Sequence, residues 1–470
     1  MNHLTANNSE FGFPRMPPSL QLRQYQQQAV DNWFANQGRG TLKMATGSGK
    51  TITALAIATE LYNKINLQVL LVICPYCHLV NQWARESEKF GLKPILAFDS
   101  ARSWQKKLAA GLYEVRSSSR ASLTGDRAFL TIITTNATLM LDSLRSQIQY
   151  FPEKALIIGD EVHNLGAPRL GESLPRNIGL RLALSATPER HFDEQGTEAI
   201  LDYFGPVLQP ELTLADAIRQ KALVHYLYYP ILVELTESET RKYSYLTKKI
   251  GWALSGEEKV EENDALTTLL MQRARLIGAA ANKLTALREL MMHRLDTSHT
   301  LFYCGDGAIE AGARRSNHRQ LTETTKLLGS ELGYRVNTYT AATPLAERER
   351  LRQQFESGEL QGLVAIRCLD EGVDIPAIRH AVILASSSNP RQFVQRRGRI
   401  LRPHPGKERA TLFDMIVLPP DLGRESLEVE RNLLRKELKR FLEFADLADN
   451  AGEARVKLVQ IQKRYGLLDI

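Results

Sequence analysis

The run Ala45-Thr46-Gly47-Ser48-Gly49-Lys50-Thr51 constrains this chain more tightly than any other segment. It follows a short β-like run, Thr41-Leu42-Lys43-Met44, and opens straight into a helix-like run, Ile52-Thr53-Ala54-Leu55-Ala56-Ile57-Ala58. Strand, glycine-rich turn and helix in that order form a cradle for a nucleoside triphosphate. The glycines let backbone N–H groups close around phosphate oxygens, and the new helix points its positive end at them. Thr46, Gly47, Ser48 and Gly49 supply the cradle, Lys50 can reach the β- and γ-phosphates, and the Thr51 hydroxyl can bind Mg²⁺. ATP and Mg²⁺ are therefore the expected ligands. One position departs from the strict pattern, which has glycine where this chain has Met44.

Such a loop needs a parallel sheet around it, and the rest of the chain supplies one twice. A first series of short apolar runs comprises Thr41–Met44, Val69–Cys74, Pro94–Phe98, Leu130–Thr134, Ala155–Gly159 and Leu180–Ser185. A second comprises Thr300–Cys304, Arg335–Tyr339, Gly362–Ile366, Ala381–Ala385 and Thr411–Val417. Most are rich in β-branched residues and apolar on both faces, as buried parallel strands are. Their alternation with helical patterns predicts two tandem α/β domains with parallel sheets. The expected boundaries are a polar, Pro-containing lead-in at 1–20, a first domain at 21–205, a mostly helical connector at 206–295, a second domain at 296–420 and a C-terminal helical segment at 421–470. Within the last, Leu434, Leu438, Phe441, Leu442 and Ala445 fall on one helical face that should pack on the body. Gly305 to Arg319 is Gly/Ala-rich and basic and reads as an exposed loop.

The formal charge of +7 is compatible with a polyanionic partner but is also ordinary for a basic globular protein. The longest apolar runs are strand-sized, so no membrane span is expected. The N-terminus lacks an apolar secretory core, and the expected location is the cytoplasm, on the nucleoid when bound to DNA. Cys74-Pro75-Tyr76-Cys77 copies a redox spacing, but here it ends a strand inside a nucleotide-binding domain, and no second Cys/His pair lies at zinc-ligand spacing.

A second chemical signature is Asp160-Glu161-Val162-His163, which follows the apolar run Leu156-Ile157-Ile158-Gly159. In a P-loop enzyme, a carboxylate at a neighbouring strand end holds the hydrated Mg²⁺, the part expected of Asp160. A second, here Glu161, polarises the attacking water.

At this point the chain resembles the superfamily 2 DExH-box helicases and translocases. Leu22-Arg23-Gln24-Tyr25-Gln26 is similar to the segment whose glutamine reads adenine. Pro75 with Leu79-Val80-Asn81-Gln82-Trp83 is similar to motif Ia, Thr134-Thr135 to motif Ib, and Ser185-Ala186-Thr187-Pro188 to motif III. Thr300–Cys304 stands in the place of motif IV, Arg367 to Pro376 resembles motif V, and Gln395 to Arg402 resembles motif VI. The resemblance spans roughly residues 20 to 420 and implies two RecA-like domains with ATP between them. It implies that Gln26 contacts adenine and Asp374 the ribose. It implies that Arg399 and Arg402 reach the γ-phosphate from the second domain. His163, Ser185, Thr187 and Gln395 would relay the nucleotide state, and Thr134 and Thr135 would bind nucleic-acid phosphates. The acidic box and motif V look more like DNA-directed repair, restriction or phage-defence motors than RNA helicases, so DNA is the expected partner. A nuclease, where one is needed, would be a separate subunit. A nucleic-acid-stimulated ATPase switch that never separates strands, and an RNA helicase, are the alternative readings.

Overall fold

The structure is a computed structural model. It describes residues 12–120, 128–190, 193–255, 264–305, 308–311, 316–340, 342–366, 375–385, 397–420 and 424–469. The chain divides between Gln220 and Lys221 into two compact units.

The first unit is built on seven strands: β1 Arg39–Met44, β2 Val69–Cys74, β3 Ile95–Ala97, β4 Leu130–Thr135, β5 Ala155–Asp160, β6 Leu180–Ser185 and β7 Val207–Leu212. They lie in the order β3-β4-β2-β5-β6-β1-β7, and every neighbouring pair is parallel. All residues of β2, β4 and β5 are buried, which is why these runs are apolar without alternation. Helices Cys77–Lys89 and Ala101–Arg120 cover the sheet, with Trp104, Leu108, Leu112 and Val115 packed against β2, β4 and β5. Because the strands are parallel, the C-terminal residues Met44, Cys74, Thr135, Asp160 and Ser185 all emerge at one edge of the sheet. That edge is where ligands bind in open α/β folds.

The second unit carries β8 His225–Glu234, β9 Thr300–Cys304, a hairpin of β10 Ala308–Ala311 and β11 Ser316–Arg319, then β12 Val336–Tyr339, β13 Gly362–Ile366, β14 His380–Ile383 and β15 Arg409–Leu418. Six of them form a parallel sheet in the order β12-β13-β9-β14-β15-β8. The hairpin is antiparallel and replaces part of the loop expected at Gly305–Arg319. The C-terminal helix Arg424–Asp446 buries Leu434, Leu438, Phe441 and Ala445 as the periodicity predicts, with Leu442 half-buried. It covers the edge strand: the Tyr226 hydroxyl donates to Phe444 O at 2.7 Å, and Tyr228 stacks on the Phe444 ring at 5.2 Å.

One expectation changes. The stretch 206–295 is not only helical, because it contributes β7 to the first sheet and β8 to the second. Both are edge strands and both contain proline, Pro210 and Pro230. Proline removes a ladder donor and is tolerated at an edge, so it disguises such strands in sequence. The described part of the lead-in is also tied down: Phe13 stacks on Tyr62, and Arg15 N–H donates to Phe90 O at 2.9 Å. Between β8 and β9, helices Glu237–Ser255, Asp264–Gly278 and Asn282–Met292 complete the second unit. Among the described residues, no helix is long and apolar enough to cross a membrane.

Candidate nucleotide site and its coupling cluster

The glycine-rich loop joins β1 to the helix Lys50–Ile65. Gly47 and Gly49 hold φ of 86° and 92°, values open to glycine and costly for other residues. A Cβ on Gly49 would stand 2.6 Å from the Gln26 amide nitrogen, so a side chain there would also displace Gln26 from the loop. Met44, by contrast, ends β1 outside the left-handed region and buries its side chain in the core. What the loop uses of Met44 is its carbonyl, which accepts from Lys50 Nζ at 3.0 Å. That explains why methionine is tolerated where the pattern has glycine.

Residues from the preceding helix, Gln24–Ala35, brace the loop. Tyr25 donates its hydroxyl hydrogen to Ser48 O at 2.6 Å, Gln26 Nε2 donates to Gly49 O at 3.3 Å, and Gln26 Oε1 accepts from Arg23 N. Ser48 Oγ donates to Ala45 O at 2.6 Å, which tightens the turn. Thr46 Oγ1 is buried and makes no hydrogen bond within the protein. A buried hydroxyl left open beside a backbone cradle fits a phosphate ligand. Thr51 follows Lys50 in the first turn and is half-buried.

At the end of β5, Asp160 is buried. Its Oδ2 accepts from the Trp83 indole N–H at 2.8 Å and its Oδ1 from Glu161 N at 3.0 Å. Burial, and then the adjacent Glu161 charge, push its carboxyl up to about 6, while Trp83, Lys50 and the Glu161 amide pull it the other way. Glu161 takes φ 45° and ψ 52°, an uncommon conformation for a non-glycine residue, and the backbone turns there directly into a short 3₁₀ turn, Val162–Leu165. His163 sits in that turn. Its Nδ1 lies 3.2 Å from Ser185 Oγ and 3.6 Å from Glu161 Oε2, and its Nε2 lies 3.2 Å from Asn164 Nδ2. The Asn164 amide can only donate, so Nε2 accepts and the ring proton belongs on Nδ1, facing Ser185 and Glu161. Ser185 Oγ also accepts from Thr187 N at 3.1 Å, and Arg190 Nη1 donates to His163 O. The acidic segment and the Ser-Ala-Thr segment are thus physically joined through one imidazole.

Trp83 and Asn164 are functional neighbours that the sequence did not single out. Trp83 was visible as part of a motif, but nothing in its spacing showed that its indole would hold the buried carboxylate. Thr134 and Thr135 require correction as phosphate ligands. Thr134 is fully buried and donates to Ala97 O at 2.7 Å, and Thr135 caps the short helix Asn136–Leu139 by accepting from Thr138 N at 3.2 Å. The Thr134 hydroxyl hydrogen is therefore used within the sheet, and the Thr135 hydroxyl is engaged by Thr138 N and by Thr138 Oγ1 at 3.0 Å. The cysteine pair also resolves: Cys74 is buried at the end of β2 and its thiol is pushed well up by burial, opposite to what a redox nucleophile needs.

In the second unit, Arg397 is buried, with its guanidinium over the Phe444 ring at 3.5 Å. Arg399 is buried in a helical segment whose described residues end at Ile400, where Leu401 N–H donates to Arg397 O; Arg402 is half-buried and lies two residues past that end, so the two arginines do not share a helical face. Asp374 and Gln395 lie outside the described residues.

Comparison with known proteins matches residues 19–190 to the type III restriction enzyme res subunit family and residues 282–404 to the helicase conserved C-terminal domain. The chain is 28% identical over 407 residues to "DNA 3'-5' translocase XPB2" of Sulfurisphaera tokodaii, covering 83% of this chain and 80% of that protein. The chain belongs to the superfamily 2 helicases and translocases. Other similar superfamily 2 proteins are "DNA 3'-5' helicase XPB" of Mycobacterium tuberculosis, 24% identical over 87% of this chain, and "Putative DNA 3'-5' helicase Rad25" of Haloarcula marismortui, 25% identical over 82%. The matches cover 62% and 51% of the lengths of those two proteins. Among solved structures, the type ISP restriction-modification enzyme LlaBIII bound to DNA gives a TM-score of 0.56 at 18% identity, over 91% of this chain and 30% of that one. The Hef helicase domain of Pyrococcus furiosus gives 0.51 at 17%, over 84% and 95%. At these identities the likeness is one of fold: tandem RecA-like α/β domains. The chain is an ATP-hydrolysing enzyme.

Proposed function

We propose that this chain couples ATP hydrolysis to 3′-to-5′ movement along DNA. The direction and the polymer are those carried in the names of its relatives. The observation that carries the reading is the His163 bridge. A P-loop ATPase that only binds nucleotide does not need its water-activating segment joined to a second strand end. A motor does, because the γ-phosphate state must be passed on.

In this reading Thr46 to Lys50 hold the phosphates, and Gln26, already against Gly49 O, faces the base. Thr51 and Asp160 hold Mg²⁺, which neutralises charge on the phosphates. Glu161 orients the attacking water. His163 and Ser185 sense whether the γ-phosphate is present, and Thr187 carries the change onward. Arg399 and Arg402 supply transition-state charge from the second unit, and Asp374 holds the ribose.

Binding to the polymer then rests on surfaces other than Thr134 and Thr135. Helix Glu237–Ser255 presents Arg241, Tyr245, Lys248 and Trp252 to solvent at spacings of four, three and four, one helical face, with Lys249 over the Tyr245 ring at 4.7 Å. Cations for phosphates and aromatic faces for unpaired bases suit a nucleic-acid strand.

The test is the ATPase rate without polymer and with single-stranded DNA, duplex DNA or RNA, together with triplex displacement. DNA should stimulate hydrolysis and the motor should strip the third strand. Equal rates in all four conditions would remove the coupling, and stimulation by RNA alone would move the enzyme to the RNA helicases.

A further inference from the structure

Among the described residues, Lys283 is the most thoroughly buried cation of the second unit, 1% exposed near the start of helix Asn282–Met292. An ammonium is seldom placed there for stability, since removing it from water is costly even when it is paired. Its contacts show what it holds. Nζ donates to Leu384 O, one residue beyond β14, and to Gly278 O at 3.4 Å, the last residue of helix Asp264–Gly278. Gly278 O also accepts from Gln320 Nε2 at 2.9 Å, and Gln320 Oε1 accepts from Gly305 N at 2.7 Å, one residue beyond β9. Leu384 N and Ala385 N donate back to Tyr303 O at 2.9 and 3.2 Å. The exits of β9 and β14 and the end of the helical insert therefore meet at one polar knot. In sequence, the segment bearing Arg399 and Arg402 follows the β14 exit.

We propose that Lys283 is a positioning residue for hydrolysis, fixing the β9 and β14 exits to the helical insert so that the arginine-bearing segment is held in register for turnover. This rests on the reading above, in which those arginines serve the ATP site. The knot also connects that segment to the insert carrying Tyr245 and Trp252. The start of helix Glu237–Ser255 is tied in separately, because Ala281 N donates to Glu239 Oε1 at 2.8 Å. Strand engagement on the insert and register of the arginine segment thus share a mechanical element.

The charge of the knot is conditional. Burial pulls the Lys283 ammonium down to about 8, against the support of Asp414 on β15, Glu437 on helix Arg424–Asp446 and Glu239 on the insert; Cys304 on β9 also faces it, but burial pushes that thiol up to about 12 and leaves it uncharged there. As pH rises through about 8 the amine loses its proton; its two remaining N–H groups can still meet both carbonyls, but without the charge that roughly doubles the strength of such hydrogen bonds. Stability does not fall with it, because between pH 8 and 10.5 the unfolded chain binds more protons than the folded one.

The experiment uses the full chain with Lys283→Met and Lys283→Arg beside Arg402→Ala. It measures ATP affinity, basal and DNA-stimulated kcat, and the pH profile from 6.5 to 9.5. Lys283→Met should bind ATP within about twofold of wild type and lose on the order of 10- to 100-fold in stimulated kcat, the cost of a misplaced group. Wild-type stimulated turnover should fall with a midpoint near pH 8, the residual turnover of Lys283→Met should lack that step, and Lys283→Arg should restore rate without the step. Stimulated kcat of Lys283→Met within twofold of wild type overturns the proposal, as does a wild-type alkaline step that survives in it. Should Lys283→Met fail to fold, Lys283→Arg decides alone by the presence or absence of the step. Normal turnover of Arg402→Ala would instead refute the reading of the arginines, an outcome distinguishable from failure of the knot.

Discussion

Replacing Asp160 by asparagine should abolish hydrolysis while making the nucleotide-free protein more stable. The side chain is buried, and its carboxyl rises from 3.8 to about 6 because burial and Glu161 disfavour the charge more than Trp83 and Lys50 restore it. At about 1.4 kcal/mol per pKa unit, the folded state carries a penalty of ~3 kcal/mol at neutral pH relative to an unshifted carboxylate. Asparagine keeps an oxygen for the Trp83 indole at nearly the same volume and removes the charge. A gain approaching that penalty corresponds to several degrees, ~5–10 °C, in a unit of this size. The sign of the pH dependence is fixed. Between pH 6 and 3.8 the folded protein binds more protons than the unfolded one, so wild-type stability rises as pH falls through this window. The gap between Asp160→Asn and wild type should be widest above pH 6.5 and close toward pH 4. Thermal unfolding of the full chain in EDTA, without nucleotide, at pH 7.5 and 4.5 measures it. Added Mg²⁺ and ATP should reverse the ranking, because only wild type gains a ligand for its carboxylate. An asparagine variant that melts at or below wild type at pH 7.5, or a gap that ignores pH, would refute the argument that Asp160 is held charged at a cost.

Three further substitutions separate roles within the proposed machinery. Glu161→Gln should retain ATP binding and lose hydrolysis by ~10²-fold or more, as expected when the group that orients water loses its charge; loss of nucleotide binding in equilibrium titration would make Glu161 structural. His163→Ala removes the bridge to Ser185, so basal hydrolysis should survive while stimulation by DNA drops ~10-fold, the size of an ordinary coupling energy; a parallel fall of both rates would count against a relay. Arg402→Ala should leave ATP affinity unchanged and reduce stimulated kcat by ~10³ if it acts as an arginine finger, and single-turnover hydrolysis at wild-type speed would exclude that role.

Much of the fold was legible because its strands are interior and parallel. Val69–Cys74, Thr300–Cys304 and Gly362–Ile366 are apolar on both faces and bounded by turns, so their limits agree with those read from sequence. β7 and β8 were not legible, because an edge strand has only one neighbour to satisfy and can carry a proline. The site was legible where chemistry dictates residue type in a short span, as in Gly47 to Thr51 and Asp160 to His163. It was illegible where the partner comes from far along the chain. Trp83 stands 77 positions from Asp160, and Lys283 reaches a carbonyl 101 positions away. Thr134 failed for a related reason. A threonine at a strand end looks available in sequence, and only the neighbouring strand shows that Ala97 O already takes its hydroxyl.

Both units place an ionisable group where burial weakens its charge, and they do so with opposite signs. Asp160 is drawn up to about 6 and Lys283 down to about 8. Neither shift serves stability, since each charged form is the one burial penalises. A fold selected only to persist would put asparagine and methionine there, with similar volume and no charge to desolvate. The retained charges make sense if each has a task that a neutral isostere cannot perform. For Asp160 the proposed task is to meet a cation delivered with the phosphates, which would lift its penalty when substrate arrives and help set binding against release. For Lys283 the proposed task is to hold two carbonyls at once with charge-assisted hydrogen bonds, which a methionine of similar volume cannot give. Between about pH 6 and pH 8 both groups keep their charges. On the proposed roles, Asp160 at the end of β5 should set the acidic limit of Mg²⁺–ATP capture by the free enzyme, and Lys283 on helix Asn282–Met292 the alkaline limit of turnover.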